Sequence, residues 1–214
     1  AGRYTSWNDI WSYPGYKERD ILPGDYKYED WNGDGEINGQ DEHPFAFDQT
    51  PWLQFSLNAG LQWKNLDFNM LLQGSALGSM EYKEPLHEIW GKNGGGALTQ
   101  FLDRWHPVDP KADPYDPSTV WTSGHYAYTG RWAKNNSAFN RVSTAYLRLK
   151  SIELGYTFPK LKQIPNASLR IYANAYNLLT FTGVKFVDPE HPDDDLGRMY
   201  PLNKTYTLGV SLSF

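Results

Sequence analysis

The sequence predicts an all-β fold in which five antiparallel strands form part of the wall of a large transmembrane β-barrel. Five segments alternate between apolar and polar residues, which is the pattern of strands with one buried or lipid-facing side. Long and short connections alternate between these segments, as they do in membrane barrels. No apolar run reaches the roughly 18 residues that a membrane-spanning helix needs.

Each predicted strand places its apolar side chains on a single face. Only Lys64 and Asn65 separate the first two strands, which predicts a tight hairpin. In the third strand the apolar residues change parity near Lys150–Ser151, which predicts either a β-bulge or an upper segment clear of the lipid. The charged residues Asp67, Glu153 and Arg170 fall on the polar faces, where they would pair across the wall or line a conduit. The strands are predicted over residues 52–63, 66–75, 146–158, 168–178 and 205–214.

The last strand has a fully apolar face and ends on an aromatic residue. One interpretation is the final strand of a soluble sandwich, whose small polar face meets water. The pattern is also typical of the C-terminal strand by which outer-membrane barrels are recognised for assembly. We therefore predict an assembly signal formed by Tyr206, Leu208, Val210, Leu212 and Phe214.

Connection lengths predict which end of each strand faces outward, because extracellular loops of membrane barrels are long and periplasmic turns are short. Five strands cannot close a cylinder, so the chain is expected to be a piece of a larger barrel. Its start lacks the basic and apolar regions of a signal peptide. The predicted organisation is an extracellular loop over 1–51, a hairpin over 52–75, a long extracellular loop over 76–145, a hairpin over 146–180, an extracellular loop over 181–204 and a final strand over 205–214.

Composition excludes several classes of protein. A net charge of −5 argues against nucleic-acid binding, which needs clustered basic residues. The absence of cysteine excludes disulfide scaffolds, zinc ribbons and cysteine nucleophiles. Neither a His-Glu-x-x-His motif nor a Gly-x-Ser-x-Gly motif occurs, so we expect no catalytic residues and no enzymatic activity. The acidic segment from Asp188 to Asp195 is expected to be a solvated charge run.

Residues 30–41 match the spacing of a 12-residue calcium loop. Gly35 at the sixth position permits the sharp turn, and hard oxygen ligands suit Ca²⁺. Asp41 at the twelfth position is shorter than the usual Glu and predicts weaker binding. The alternative is a Gly/Asn/Asp-rich turn that folds without metal. The predicted ligands are Asp30, Asn32, Asp34, the carbonyl of Glu36, Asn38 and Asp41.

Aromatic residues make up 16% of the chain, and many lie between the strands. Their flat apolar faces suit the pyranose rings of sugars. The alternative, which we favour for most of them, is that they pack the long loops together or against a partner, because a long loop needs its own core. The candidates for substrate or partner contact are Trp90, Trp105, Trp121, Tyr126 and Trp132.

An ordered set of segments resembles the C-terminal portion of SusC/RagA-type TonB-dependent outer-membrane transporters of Bacteroidetes. The set covers most of the chain from residue 23 onward, with matching spacing. The segments are PGDYKYEDWNGDGEINGQDE (23–42), LQWKNLDFNMLLQGSALG (61–78), FLDRWHP (101–107), AYLRLKSIELGYTFP (145–159), NLLTFTGVKFVDPE (177–190) and YPLNKTYTLGVSLSF (200–214).

The resemblance implies the last strands of a barrel of about 22 strands, closed elsewhere and filled by an N-terminal plug. It implies a location in the outer membrane of a Gram-negative bacterium, among its lipids, with the C-terminus in the periplasm. It also implies a SusD-like surface lipoprotein as partner, energy relayed by TonB, and import of oligosaccharides or peptides. The competing interpretation from the residues alone is a soluble calcium-dependent carbohydrate-binding β-sandwich module.

Overall fold

A computed structural model describes residues 2–14, 20–83, 86–87, 97–128, 137–159, 167–190 and 199–214. The chain divides into two compact units, one made of Ala1–Ala46 and Tyr82–Arg141 and the other of Phe47–Glu81 and Val142–Phe214. Among the described residues, no helix combines the length and the apolar character needed to cross a membrane. The strands in chain order are β1 (Gly2–Arg3), β2 (Tyr26–Lys27), β3 (Leu53–Trp63), β4 (Leu66–Ala76), β5 (Ser79–Glu81), β6 (His106–Pro107), β7 (Trp121–Thr122), β8 (Arg141–Ser143), β9 (Tyr146–Phe158), β10 (Ser168–Thr182) and β11 (Thr205–Ser213).

The first unit holds short elements around small aromatic clusters. A helix, α1 (Trp7–Ser12), begins after Ser6, whose hydroxyl accepts the N–H of Asp9 at 3.2 Å and so caps a free helix donor. Strand β1 pairs with β2, and β6 pairs with β7. The guanidinium of Arg3 lies 4.7 Å from the ring of Tyr26 and 4.6 Å from the ring of Phe139, which are cation–π distances.

The second unit is dominated by a five-stranded antiparallel sheet with the strand order β11-β10-β9-β4-β3. All five predicted strands are therefore confirmed. Strand β10 is longer than predicted and runs to Thr182, because it continues through an irregularity at Asn177. Strands β3 and β4 form the predicted two-residue hairpin, and Lys64 at its tip has a φ of 56°, as primed hairpin turns require.

Sequential strands are neighbours throughout this sheet, so its connections lie alternately at one end of the strands and at the other. The end with the Lys64–Asn65 turn also carries the short connection 159–167 between β9 and β10. The opposite end carries the long connections 77–145 and 183–204. The predicted alternation of long and short connections is thus a property of the fold.

Residues that lie opposite one another on neighbouring strands form rows across the sheet, and each row is mainly apolar or mainly polar. Because successive residues point to opposite faces, adjacent rows belong to opposite sides of the sheet. The apolar side is exposed, and Leu208 on it is 76% exposed. One apolar row is Leu57, Leu72, Leu149 and Leu179, and the polar row beside it is Ser56, Gln73, Arg148 and Thr180.

A β-bulge at Lys150 confirms the irregularity that the sequence predicts. Leu71 of β4 lies opposite Ser151, whereas the next residue, Leu72, lies opposite Leu149, which leaves Lys150 as an extra residue in β9. Such a bulge shifts all later side chains to the other face. Leu149 therefore joins the apolar face.

Strand β10, the next strand in the sheet, has two extra residues opposite the bulge in β9. Between the paired positions Tyr176 and Leu179, β10 carries two residues where β9 carries only Lys150. The first of them, Asn177, has a φ of 52°, a left-handed conformation that Asn tolerates better than most residues. The extra length lets β10 stay paired with β9 on both sides of the bulge.

Candidate functional site: the polar face of the sheet

The polar face carries an ion-pair cluster near the short-turn end of the strands. Arg170 of β10 donates from Nε to Asp67 Oδ1 at 3.1 Å and from Nη2 to Asp67 Oδ2 at 2.5 Å. Its Nη2 also lies 2.7 Å from Glu153 Oε1. The side chain of Asn174 donates to the other Glu153 oxygen at 3.3 Å. The pairing of Asp67, Glu153 and Arg170 that the sequence offered as one alternative is confirmed.

This cluster depends on a glycine in the strand that it crosses. Asp67 is on β4 and Arg170 on β10, so the ion pair passes over β9 at Gly155. A Cβ at Gly155 would lie 2.5 Å from Arg170 Nη2 and 2.7 Å from each carboxylate oxygen of Asp67. Only a residue without a side chain lets the two charged groups meet there.

A second cluster lies on the same face toward the long-loop end. Arg148 is 1% exposed and contacts Asp188 at 2.5 Å and Glu190 at 3.2 Å. Its Nε donates to Thr180 Oγ1 at 3.0 Å. The expectation that this acidic segment is wholly a solvated charge run is wrong for Asp188 and Glu190, because they neutralise a buried guanidinium. Sequence alone missed the pairing, since forty residues separate Arg148 from Asp188 and the only local signal is an Arg between two leucines.

The predicted calcium loop folds as a turn held by its own hydrogen bonds. Asp30 accepts the N–H groups of Gly33 at 2.7 Å and Gly35 at 2.9 Å. Asp34 accepts the N–H of Glu36 at 2.8 Å. Gly33 and Gly35 have φ values of 73° and 82°, which side-chain-bearing residues rarely adopt. The oxygen donors are of the kind that Ca²⁺ takes.

Asp41 closes this loop. Its carboxylate accepts the N–H of Asn38 at 2.7 Å, of Trp31 at 2.9 Å and of Asn32 at 3.3 Å. These bonds, led by the one from Asn38, lower the pKa of the Asp41 carboxyl. Across the described part of the chain, no three acidic or histidine side chains converge in a metal-binding arrangement. The Ca²⁺ site therefore stays a prediction.

Two of the predicted aromatic contact residues are buried inside the first unit. Trp105 is 9% exposed and its backbone N–H donates to the Tyr126 carbonyl at 2.8 Å. Tyr126 is 7% exposed and packs edge-to-face on Phe101 with ring centres 4.6 Å apart. Burial raises the pKa of the Tyr126 phenol. Their burial favours the packing interpretation over substrate contact.

The other candidate residues are partly accessible or outside the described part of the chain. Trp121 is half-buried and packs edge-to-face on Tyr128 at 5.4 Å. Trp90 and Trp132 lie outside the described residues. The predicted assembly residues share the exposed apolar face of β11 and its end, and their role in assembly stays a prediction. They are Tyr206, Leu208, Val210, Leu212 and Phe214.

A meandering sheet with one exposed apolar face and one charged, hydrogen-bonded face defines a class of fold. Apolar residues face lipid and polar residues face the interior in the wall of a membrane β-barrel. The strands β3, β4, β9, β10 and β11 have this two-sided character on both sides of the bulge. The protein is accordingly an all-β chain with the fold of a β-barrel wall.

Comparisons with known proteins agree with this class. No family model matches the chain. The chain is 28% identical over 211 residues to TonB-dependent receptor P3 of Formosa agariphila, covering 91% of this chain and 19% of the relative. It is also 28% identical over 206 residues to TonB-dependent receptor P26 of the same organism, covering 89% of this chain and 20% of the relative. The chain thus spans about a fifth of the length of these relatives.

Solved structures show the same fold. The RagAB peptide importer in its closed-closed state matches 84% of this chain and 19% of its own chain, with a TM-score of 0.59 and 21% identity. A second structure, of the RagAB peptide transporter, gives the same coverage and TM-score at 22% identity. The predicted resemblance to a portion of a SusC/RagA-type TonB-dependent transporter is therefore confirmed.

Proposed function

We propose that this chain forms part of the barrel wall of a TonB-dependent nutrient transporter in the outer membrane of a Gram-negative bacterium. The observation that carries the proposal is the two-sided sheet. Its apolar rows are exposed, with Leu208 at 76% and Val210 at 65%, as suits contact with lipid. Its opposite face holds the Arg170 and Arg148 ion pairs, as suits a water-filled interior.

The proposed transporter displays its long loops outside the cell. Long extracellular loops and short periplasmic turns are the rule in such barrels. The Lys64–Asn65 turn and the connection 159–167 would then face the periplasm, together with the end of β11. The predicted loops over 1–51, 76–145 and 181–204 would then be extracellular.

The transporter would import oligosaccharides, or peptides, and would work with a SusD-like surface lipoprotein. The likeness to RagAB, whose structures are described as those of a peptide importer, supports a partnered importer. The plug, the rest of the barrel and the TonB-contacting segment would be supplied outside the described strands. Import of this kind needs no covalent chemistry, so the proposal includes no enzymatic activity.

A soluble calcium-dependent carbohydrate-binding sandwich is the competing function. A sandwich buries the apolar face of each sheet against a second sheet about 10 Å away. In the part of the chain that the structure describes, the other sheets have only two strands each and the apolar face stays exposed. This exposure favours the barrel over the sandwich.

Fractionation and uptake test the proposal on the full-length protein in its native host. We expect the protein in the outer-membrane fraction, extractable only with detergent, and migrating differently on gels before and after heating. Uptake of the imported nutrient should be lost both when this gene is deleted and when TonB is deleted. A folded protein that stays in the soluble fraction, or uptake that is independent of TonB, would contradict the proposal.

A further inference from the structure

An open cleft of about 820 Å³ lies on the polar face, toward the long-loop end of the strands. Its floor is formed by β3, β4 and the start of β9, and one of its walls is formed by Pro189 and Glu190. The polar groups that line it are mostly amides and hydroxyls. They include Gln54, Ser56, Gln73, Thr144 and Tyr146, together with the carboxylate of Glu190.

The wall of the cleft belongs to a segment, residues 185–190, that we call the strap. Just after β10 the strap reverses direction in a three-residue turn, in which the N–H of Val187 donates to the carbonyl of Lys185 at 2.9 Å. The central residue, Phe186, has a φ of 70°. A γ-turn with positive φ is rare and strained for a bulky residue, so other contacts must hold it in place.

Arg148 supplies these contacts. Its guanidinium is buried and reaches Asp188 and Glu190, which are two residues apart and both on the strap. A buried charge that loses its partners is strongly destabilising, so Arg148 and the two carboxylates hold one another in a fixed arrangement. Lys150 adds a longer contact of 3.8 Å to Glu190. The strap is thereby tied to the floor of the cleft.

One group in the cleft wall points independently to a missing partner. Thr144 is 5% exposed, and its hydroxyl has no hydrogen-bond partner within the described residues. Buried hydroxyls are nearly always hydrogen-bonded in native proteins. Thr144 lines the cleft, so a ligand or an ordered water held there would supply the bond.

The lining chemistry selects a class of ligand. The lining residues include no Lys or Arg and one carboxylate, which disfavours an anionic ligand. The backbone groups of β4 are paired on both sides, and in the proposed barrel a further strand would pair with the edge of β3, so recognition falls to side-chain amides and hydroxyls. Such groups both donate and accept hydrogen bonds, which matches the hydroxyls of sugars. An extended peptide would instead pair with a free strand edge.

We infer that this cleft is a binding subsite for a neutral oligosaccharide, and that Arg148 is a positioning residue that sets the strap as its wall. This inference rests on the proposed transport function and adds a substrate class to it. The sugar would lie on the polar floor, with Gln54 and Gln73 bonding to its hydroxyls and Glu190 accepting from a hydroxyl at the wall.

Binding to the intact, detergent-purified transporter tests the inference. The probes are an array of neutral oligosaccharides and a set of neutral hexapeptides. We expect at least one oligosaccharide to bind, and Q73A and Q54A each to raise its Kd about tenfold, the effect of losing one hydrogen bond of about 1.4 kcal/mol. The matched control is Q62A, on the same face of β3 but outside the cleft, which should leave Kd within about twofold.

The strap is tested by D188N, which weakens the tie to Arg148 at a residue that does not line the cleft. We expect D188N to raise the Kd of the oligosaccharide about tenfold while the heat-modifiable band persists. Combined with Q73A it should give an effect that differs from the product of the two single effects, because the strap and Gln73 would hold the same bound ligand. A purely structural role would instead reduce the amount of folded protein and leave Kd unchanged.

The remaining outcomes separate this inference from the function on which it rests. Binding of no oligosaccharide, or binding that Q73A and Q54A leave unchanged, overturns the cleft while outer-membrane location and TonB-dependent uptake still stand. Binding of peptides alone, weakened by the same two changes, overturns the sugar assignment. Loss of outer-membrane location overturns both.

Discussion

Arg170 and Asp67 form a two-pronged ion pair although 103 residues separate them in the sequence. The pair joins β10 to β4 across the strand between them and is 28% and 23% exposed at its two side chains. Paired N–H···O bonds of this kind fix geometry as well as charge. Three strands from two hairpins are thereby connected on the polar face.

The glycine beneath this ion pair should be intolerant of a side chain. G155A places a methyl group within 2.7 Å of Arg170 Nη2 and the Asp67 carboxylate, so the pair must shift or break. We expect a loss of about 1–3 kcal/mol in the free energy of unfolding, the usual cost of overpacking. Denaturant unfolding of the intact transporter in detergent measures it.

Gly183 provides the matched control for this change. A Cβ there meets no atom within 4 Å, so G183A should alter the free energy of unfolding by no more than about 0.5 kcal/mol. Equal stabilities of G155A and G183A would contradict the role assigned to Gly155.

The bulge in β9 should depend on the presence of a residue at position 150 and not on its side chain. Deleting Lys150 removes the extra residue and makes β9 regular, with Leu149 still opposite Leu72 and Arg148 still opposite Gln73. Every side chain therefore keeps its face, and only the match to the two extra residues of β10 is lost. We expect the deletion variant to keep the heat-modifiable barrel in isolated outer membranes.

Replacing the same residue separates length from chemistry. K150A keeps the residue count and loses only the 3.8 Å contact to Glu190, so it should assemble normally. A deletion variant that fails to assemble while K150A assembles would contradict this expectation.

The loop over residues 30–41 should lose order in acid. The hydrogen bonds to Asp41 lower its pKa, so the stabilisation is complete above the unfolded value of about 3.9 and is lost as pH falls through the lower folded value. Hydrogen exchange of this loop, with labelling times scaled to pH, should show protection at pH 5 to 7 and its loss below about pH 4.

Substitutions distinguish this carboxylate from its neighbours. D41N should lower protection at pH 5 to 7, because an amide accepts fewer of the three N–H bonds. The neighbouring E42Q should behave as the unaltered protein. Loss of protection in E42Q but not in D41N would refute the assignment.

Metal addition tests the predicted calcium site in the same loop. If the ligands from Asp30 to Asp41 bind Ca²⁺, millimolar Ca²⁺ should increase the hydrogen-exchange protection of residues 30–41 relative to EDTA. D30N combined with D34N should remove that increase, and E42Q should keep it. Identical protection with Ca²⁺ and with EDTA would contradict the predicted site. The loop would then be a turn that folds without metal.

The strands were predictable because their signal is local. Period-2 alternation fixes both the strand and its lipid-facing side, so the row containing Leu57 and Leu72 follows from spacing alone. Even the bulge at Lys150 is visible as a change of parity. The end of β10 was missed because Asn177 interrupts the pattern and the strand then resumes.

Contacts between distant segments were only partly predictable. Asp67, Glu153 and Arg170 could be placed on one face, but their meeting depends on a register that no single strand encodes. Arg148 was missed for the same reason, since its partners lie on the strap. Trp105 and Tyr126 are buried because of how the first unit packs, and residue type alone does not predict that burial.

The ion pair over Gly155 also helps to specify the register between β4 and its neighbouring strands. A slip of β4 along β9 by two residues would keep every apolar side chain on the lipid side, so hydrophobicity cannot detect the error. The same slip would carry Asp67 about 7 Å along its strand, beyond the reach of Arg170. The Arg170–Asp67 pair therefore disfavours two-residue register shifts that the apolar face alone would allow.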